Sequence, residues 1–292
     1  STKISTVLIQ KDEPFLLDER SVHEIVEQEE RKFETEALSG AYPNVGRGDM
    51  HVIERNLIRV KLNGYETASP YLKKVKNAEL SIAMSIVPHD LLLSLVKVLE
   101  HTLHISSSKS YTFPIVSFAA MQKLFPHDTD FILIDVAGET TDISYVEDDI
   151  IVGSHSFTLA RNALIRTISQ KLLITPDMVI SYLSLFSKGT LDQDITSKIT
   201  EIIDQYFIRF TEVFLRAPVV LRAKERGVIR VFLTADDDIA QLFIKQFSKS
   251  NLKHFDILFV SDVVLDPCVT YRKQVAHNPF LSIEAVFLQN CV

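Results

Sequence analysis

Residues 3–10 have the β-branched bias of a strand, and apolar and polar positions alternate over residues 51–62 and 79–87, the period-two pattern of strands with one buried face. Pro14 and Pro88 lack the amide hydrogen that a strand ladder uses, so they are expected to close the first and third of these strands. Between the first two the period becomes helical. Val22, Ile25, Val26 and Phe33 share one side of a stretch running from Asp18 or Ser21, either of which can cap it, to about Leu38. The other side is dense in Glu and reads as a solvated face. Gly40, Pro43, Gly46 and Gly48 make residues 39–50 a loop, and no Gly-Lys-Ser/Thr follows it to form a Walker-type phosphate cradle. Asn63-Gly64 is a hairpin turn signal. His89 and Asp90 open a helix that runs through His104 with an almost continuous Leu/Val face. Residues 14–105 therefore read as a small α+β module: helix, strand, strand, helix.

A polar connection at 106–110 leads to an expected strand at 111–116 and helix at 117–125. An apolar run from Phe131 then ends in Asp135, turns at Gly138 and resumes as a strand at Ile143. Glu147, Asp148 and Asp149 turn the chain into a further strand from Ile150 to Phe157. Helices are expected at about 158–173, 176–187 and 194–217, a strand at 228–234, a helix at 238–248, a strand at 256–261 and a last helix at 279–289. This alternation predicts a mixed α/β sheet covered on both faces. In the long helix, Ile199, Ile202, Ile203, Phe207, Phe210 and Phe214 form a broad stripe, read first as core and second as a partner groove.

Composition removes several function classes. The net charge of -7, with basic residues scattered along the chain, argues against nucleic-acid binding, which needs clustered Lys and Arg. Cys268 and Cys291 are the two cysteines, too few for a disulfide framework or a zinc site, and read as free thiols. His89, His101, His104, His127 and His155 show no ligand spacing. No Gly-x-Ser-x-Gly elbow occurs. No transmembrane run and no signal-peptide pattern is read. The sequence opens at Ser1 without Met, and a fragment is one reading of that.

The stretch with most chemistry is Asp135-Val-Ala-Gly-Glu-Thr-Thr-Asp142. It resembles the second phosphate-binding hairpin of the actin/Hsp70/sugar-kinase superfamily, usually Asp-Ile-Gly-Gly-Gly-Thr-Thr-Asp. In such a hairpin glycines let backbone amides approach phosphate, the Thr hydroxyls donate, and a carboxylate holds Mg²⁺ through water. The order of elements over 14–157 resembles that of FtsA-like and PilM-like proteins, with 14–105 in the place of their inserted subdomain. The helix ending at Lys188-Gly189 falls where these proteins carry their nucleotide-side helix. Val231-Phe-Leu-Thr-Ala-Asp-Asp-Asp-Ile239 falls where the family has a Leu-Thr-Gly-Gly-Gly adenosine turn. The resemblance implies an α/β, actin-like (ribonuclease H-like) two-lobed fold with an inserted α+β subdomain. Residues 1–13 and 106–130 would be the remainder of the first lobe, 14–105 the insertion, and 131–292 the second lobe.

Departures from the family pattern bear on function. Two hairpin glycines are replaced by Ala137 and Glu139, and the adenosine-turn glycines by Ala235, Asp236 and Asp237. Residues 176–187 lack the Glu and Lys expected of a ribose helix, and no first phosphate hairpin is visible in the sequence. The resemblance places Asp135, Gly138, Thr140, Thr141, Asp142, Thr234 and Asp236 at a vestigial nucleotide site, with Asp135 as the metal-side carboxylate if Mg-nucleotide binds. Asp135 and Asp142 read equally as turn-formers, and Asp236, Asp237 and Asp238 as helix caps before ion ligands. The expectation is a scaffold with no cofactor. It would sit in the cytoplasm, at the membrane's inner face through a partner, and dock an FtsZ-like protein or a pilus membrane-protein tail, with self-association open. The alternative is an ATP-binding actin-like ATPase with an atypical site.

Overall fold

The structure is a computed structural model and describes residues 2–39, 49–67, 69–105, 109–225, 227–249, 252, 254–271 and 278–291. The expected loop at 39–50 lies largely outside the described residues. Contacts divide the chain into two units, Ser1–Phe113 and Pro114–Val292.

The first unit contains β1 (Thr2–Leu17), α1 (Glu19–Ser39), β2 (Met50–Leu62), β3 (Tyr65–Glu66), β4 (Lys73–Pro88) and α2 (His89–Leu103). Its four strands form an antiparallel sheet in the order β1-β4-β2-β3. The Asn63-Gly64 turn has positive φ at both residues, 50° and 86°, as a tight hairpin requires. Asp18 caps α1, its Oδ1 accepting from the Ser21 amide at 2.8 Å. Val22, Val26 and Phe33 of α1 pack with Leu80, Ile82, Met84 and Ile86 of β4 in one core.

β1 does not stop at Pro14. Its register with β4 jumps between Gln10↔Asn77 and Phe15↔Val75, leaving residues 11–14 out of the ladder. A bulge of this kind tolerates proline because no partner needs its missing N–H. β1 thus brings residues 2–10 into the same sheet as β2 and β4. β4 also starts earlier than its alternation suggested, at Lys73, where it pairs with Leu17 of β1 and where Val75 is buried.

In the second unit come α3 (Phe113–Leu124), β5 (Phe131–Val136), β6 (Thr141–Glu147), β7 (Ile150–Phe157), α4 (Arg161–Leu172), α5 (Pro176–Ser187), α6 (Gln193–Arg216), α7 (Pro218–Lys224), β8 (Ile229–Ala235), α8 (Asp237–Lys249), β9 (Phe255–Phe259), α9 (Asp262–Leu265) and α10 (Pro279–Cys291). The strand expected at 111–116 is instead the start of α3. Pro114 falls in the first helical turn, where an amide has no intrahelical acceptor to lose. The sheet runs β7-β6-β5-β8-β9. β5, β6 and β7 pair antiparallel, and β8 and β9 add parallel beyond β5.

Alternation then sorts the two faces. Ile132, Ile134 and Val136 of β5 enter the large core with α4, α5, α6, α7 and α8. Phe131 and Phe232 face the other way, against Phe118 of α3 and Phe125 just after it. The α6 stripe is core: Phe210 is fully buried and meets Phe157 and Phe243 edge-on, both at 5.2 Å between ring centroids. Truncating that ring leaves a cavity in a packed aromatic cluster. Phe210→Ala is expected to cost the second unit about 3–5 kcal/mol, read as a lowered midpoint in urea unfolding followed by circular dichroism. A midpoint within error of the parent's would contradict this packing.

Candidate functional site

The second unit gathers its acidic residues where β5, β6 and β8 end. Antiparallel pairing sets Asp135 opposite Asp142, and parallel pairing sets it beside Thr234. Cross-strand partners share a sheet face, so these three side chains emerge together. Asp236 follows β8, and its carbonyl accepts the first amides of α8, from Ile239 at 3.0 Å and Ala240 at 2.9 Å. It therefore occupies the N-cap position, as read from the sequence. The Asp237 side chain lies outside the described part of the structure.

Asp135 is half-buried, but its Oδ1 atom is fully enclosed and, among the described residues, has no hydrogen-bond partner. Burial, then the nearby carboxylates of Asp142 and Asp236, raise its pKa from 3.8 to about 7. Asp142 is better served, since its Oδ1 accepts from the Ser156 hydroxyl across the β6–β7 pair. Thr141 points to the opposite face. It is buried, and its hydroxyl donates to the Leu159 carbonyl at 2.7 Å. Thr234 is buried as well, at 2% exposure.

Residues 137–140 form the turn between β5 and β6, closed by the Ala137 amide donating to the Thr140 carbonyl at 3.1 Å. The start of α4 docks on it. The Arg161 and Asn162 amides donate to the Ala137 and Gly138 carbonyls at 3.2 and 2.8 Å. A Cβ on Gly138 would come within 3.3 Å of Asn162 Nδ2, so a larger residue there requires the Asn162 side chain to shift. Among the described residues, the Gly138 and Glu139 backbone N–H groups have no acceptor.

Two basic side chains on α4 then set the electrostatics. Arg166 donates to both oxygens of Glu139, at 3.0 and 2.9 Å, and Asn162 Nδ2 donates to Oε1 at 3.0 Å. The Arg166 and Asn162 hydrogen bonds pull the Glu139 pKa down from 4.5 to about 2. Arg161 pairs with Asp238 through Nε, at 3.1 and 3.0 Å, and lies 3.6 Å from Asp236. In the fold Glu139, Asp236 and Asp238 each have an arginine nearby, and Asp135 carries the strain. Sequence reasoning missed Arg161, Asn162, Arg166 and Ser156. Arg161, Asn162 and Arg166 open the helix after the β5–β7 meander, but no local pattern in the sequence places that helix beside the hairpin.

Among the described residues no group of three His, Cys, Asp or Glu is placed to hold a metal ion, and no helix is long and apolar enough to cross a membrane.

No protein-family model matches the chain, and no curated protein matches it. Solved structures do. A PilM-PilN type IV pilus biogenesis complex aligns with TM-score 0.61 at 10% identity, over 99% of this chain and 76% of that one. MreB 5 of Spiroplasma citri bound to AMPPNP aligns with TM-score 0.42 at 13% identity, over 71% and 80% of the two chains. The ethanolamine utilization protein EutJ from Carboxydothermus hydrogenoformans aligns with TM-score 0.35 at 18% identity, over 49% and 48%. The fold is actin-like, and the PilM-type structure matches it along nearly the whole chain.

The pKa of Asp135 gives a pH test. Its carboxyl loses a proton near 3.8 in the unfolded chain and near 7 in the folded one. Between those values the folded state holds the extra proton, so raising the pH removes stability, and the loss levels off above about 7. Its ceiling is on the order of 4 kcal/mol. Asp135→Asn is therefore expected to melt higher than the parent at pH 8 and to lose that advantage by pH 4. A melting-temperature difference constant across this range would contradict the assignment.

Proposed function

We propose that this chain is an actin-like scaffold of the PilM or FtsA kind that docks protein partners and does not turn over ATP. The observation that carries the reading is how the charged groups at the hairpin are used. Arg166 and Asn162 are engaged by Glu139, Arg161 by the aspartates after β8, and the Thr141 hydroxyl by a backbone carbonyl. The remaining carboxyl, Asp135, is held toward neutrality by its surroundings. A Mg-nucleotide would have to bring polyphosphate next to Glu139, Asp142 and Asp236, and like charges in a partly dry site cost several kcal/mol. In the family chemistry, phosphates are clamped between donors around the metal. Here most of the side-chain donors already have partners.

A second reading, an ATP-binding protein with an atypical site, is favoured by the open Gly138 and Glu139 amides and by the unpartnered Asp135 oxygen. Calorimetric titration with Mg-ATP separates the two. The scaffold reading expects no hydrolysis and a dissociation constant of about 1 mM or weaker, near -4 kcal/mol. Micromolar binding that disappears in Asp135→Ala would replace it with the ATPase reading.

The partner side rests on analogy with the PilM-PilN complex and on α2. None of its residues is buried, and Leu91, Leu95 and Val98 are each more than half exposed. Apolar side chains left together on one helix face suit a protein contact. The partner fitting this reading is a pilus membrane-protein tail, with an FtsZ-like protein as the division counterpart. Peripheral attachment to the inner face of the membrane would come through that partner. In this scheme 14–105 is the inserted subdomain and carries the interface, 1–13 and 106–130 complete the first lobe, and 131–292 is the second. Lys73→Glu combined with Lys74→Glu reverses two exposed charges on β4 and is expected to weaken partner recovery in a pull-down without lowering the melting temperature. Undiminished recovery would move the interface off this sheet.

A further inference from the structure

We infer that Arg166, Asn162 and the 137–140 turn form an oxyanion site whose resident occupant is the chain's own Glu139 carboxylate, and that removing this carboxylate opens the site to phosphate. The inference rests on the scaffold reading above and gives its cause at one residue. A guanidinium that meets both oxygens of a carboxylate at 3.0 and 2.9 Å presents two parallel donors, the same fork that receives two oxygens of a phosphate. Asn162 adds a third donor at 3.0 Å. These groups converge because α4 is fixed to the turn. The Asn162 amide holds the Gly138 carbonyl at 2.8 Å, and Arg166 follows one helical turn later on the same face. Side-chain donors that meet an oxyanion at one point make an anion site, and here the anion is covalently part of the protein.

The tether decides the competition. Glu139 sits on the turn itself, so its effective concentration at Arg166 is roughly millimolar or higher. Free phosphate at lower concentration does not displace it. The pairing is exposed on both sides, 51% for Arg166 and 63% for Glu139, so breaking it does not threaten the core.

The probes are inorganic phosphate, tripolyphosphate and ATP without metal, titrated by calorimetry into the parent protein, Glu139→Ala, Glu139→Gln and Glu139→Ala combined with Arg166→Ala. Thermal melts first establish that each variant is folded. Glu139→Ala is expected to bind tripolyphosphate at least tenfold more tightly than the parent, and the double variant to lose the gain. Glu139→Gln, which keeps the shape and removes the charge, is expected to fall between. Equal gains for tripolyphosphate and ATP identify the phosphate chain as the ligand, whereas a gain for ATP alone would overturn the oxyanion assignment. No gain in Glu139→Ala, or a gain that survives loss of Arg166, would also overturn it and leave the scaffold reading standing. Tight binding by the parent itself would instead remove the scaffold reading.

Discussion

Two amide-to-carbonyl bonds, from Arg161 and Asn162 to Ala137 and Gly138, fix the start of α4 against the β5–β6 turn. Much of the site's electrostatic arrangement follows from them. They place one arginine toward the start of α8 and a second, with an asparagine, over the turn. Without that docking, Glu139, Asp236 and Asp238 would stand as unscreened carboxylates near Asp135. A Cβ at position 138 would press on the Asn162 side chain at 3.3 Å, a contact that Gly138 avoids. The Tyr206 hydroxyl of α6, donating at 2.9 Å to the carbonyl of Ala160, ties the residue before α4 into the core and limits how far the helix can shift.

The arginine pairs and the buried aspartate play different parts. Surface pairs such as Arg166–Glu139 contribute little to stability. Their importance lies in which groups they keep occupied. Asp135 is the reverse case: an enclosed oxygen without a partner, flanked by like charges, has a cost that depends on pH. Strained polar groups of this sort gather where a fold was shaped around a ligand or adapted away from one.

Much of the fold was legible in the sequence because its signals are local. The β5–β7 meander, the phenylalanine stripe of α6 and the strand ending at Ala235 all follow from alternation, helical period and turn residues. The Asp18 cap and the Asn63-Gly64 turn were legible for the same reason. Two of the errors came from proline. Pro14 was read as a strand end, although a bulge removes the need for its amide. The Phe113-Pro114 pair was read within a strand, although proline suits a first helical turn. At the site, Asp135, Asp142 and Thr234 share a register that follows from strand pairing. The partners of Glu139 depend on where α4 docks, a contact between residues more than twenty positions apart that no local pattern reports.

The parallel pairing of β5 with β8 has a consequence for how the chain reaches this arrangement. Phe131 lies opposite Arg230, so the first contact between these strands closes a loop of about a hundred residues, with an entropy cost of about 4 kcal/mol. The β5–β6–β7 meander and the bonds from α4 to its turn span far shorter separations and can form before that closure. Contacts of long separation slow folding, so β8 is expected to join a meander already in place. Asp135 would then remain hydrated and ionised until β8 brings Thr234 and Asp236 alongside, and its desolvation would be charged to the late steps of folding.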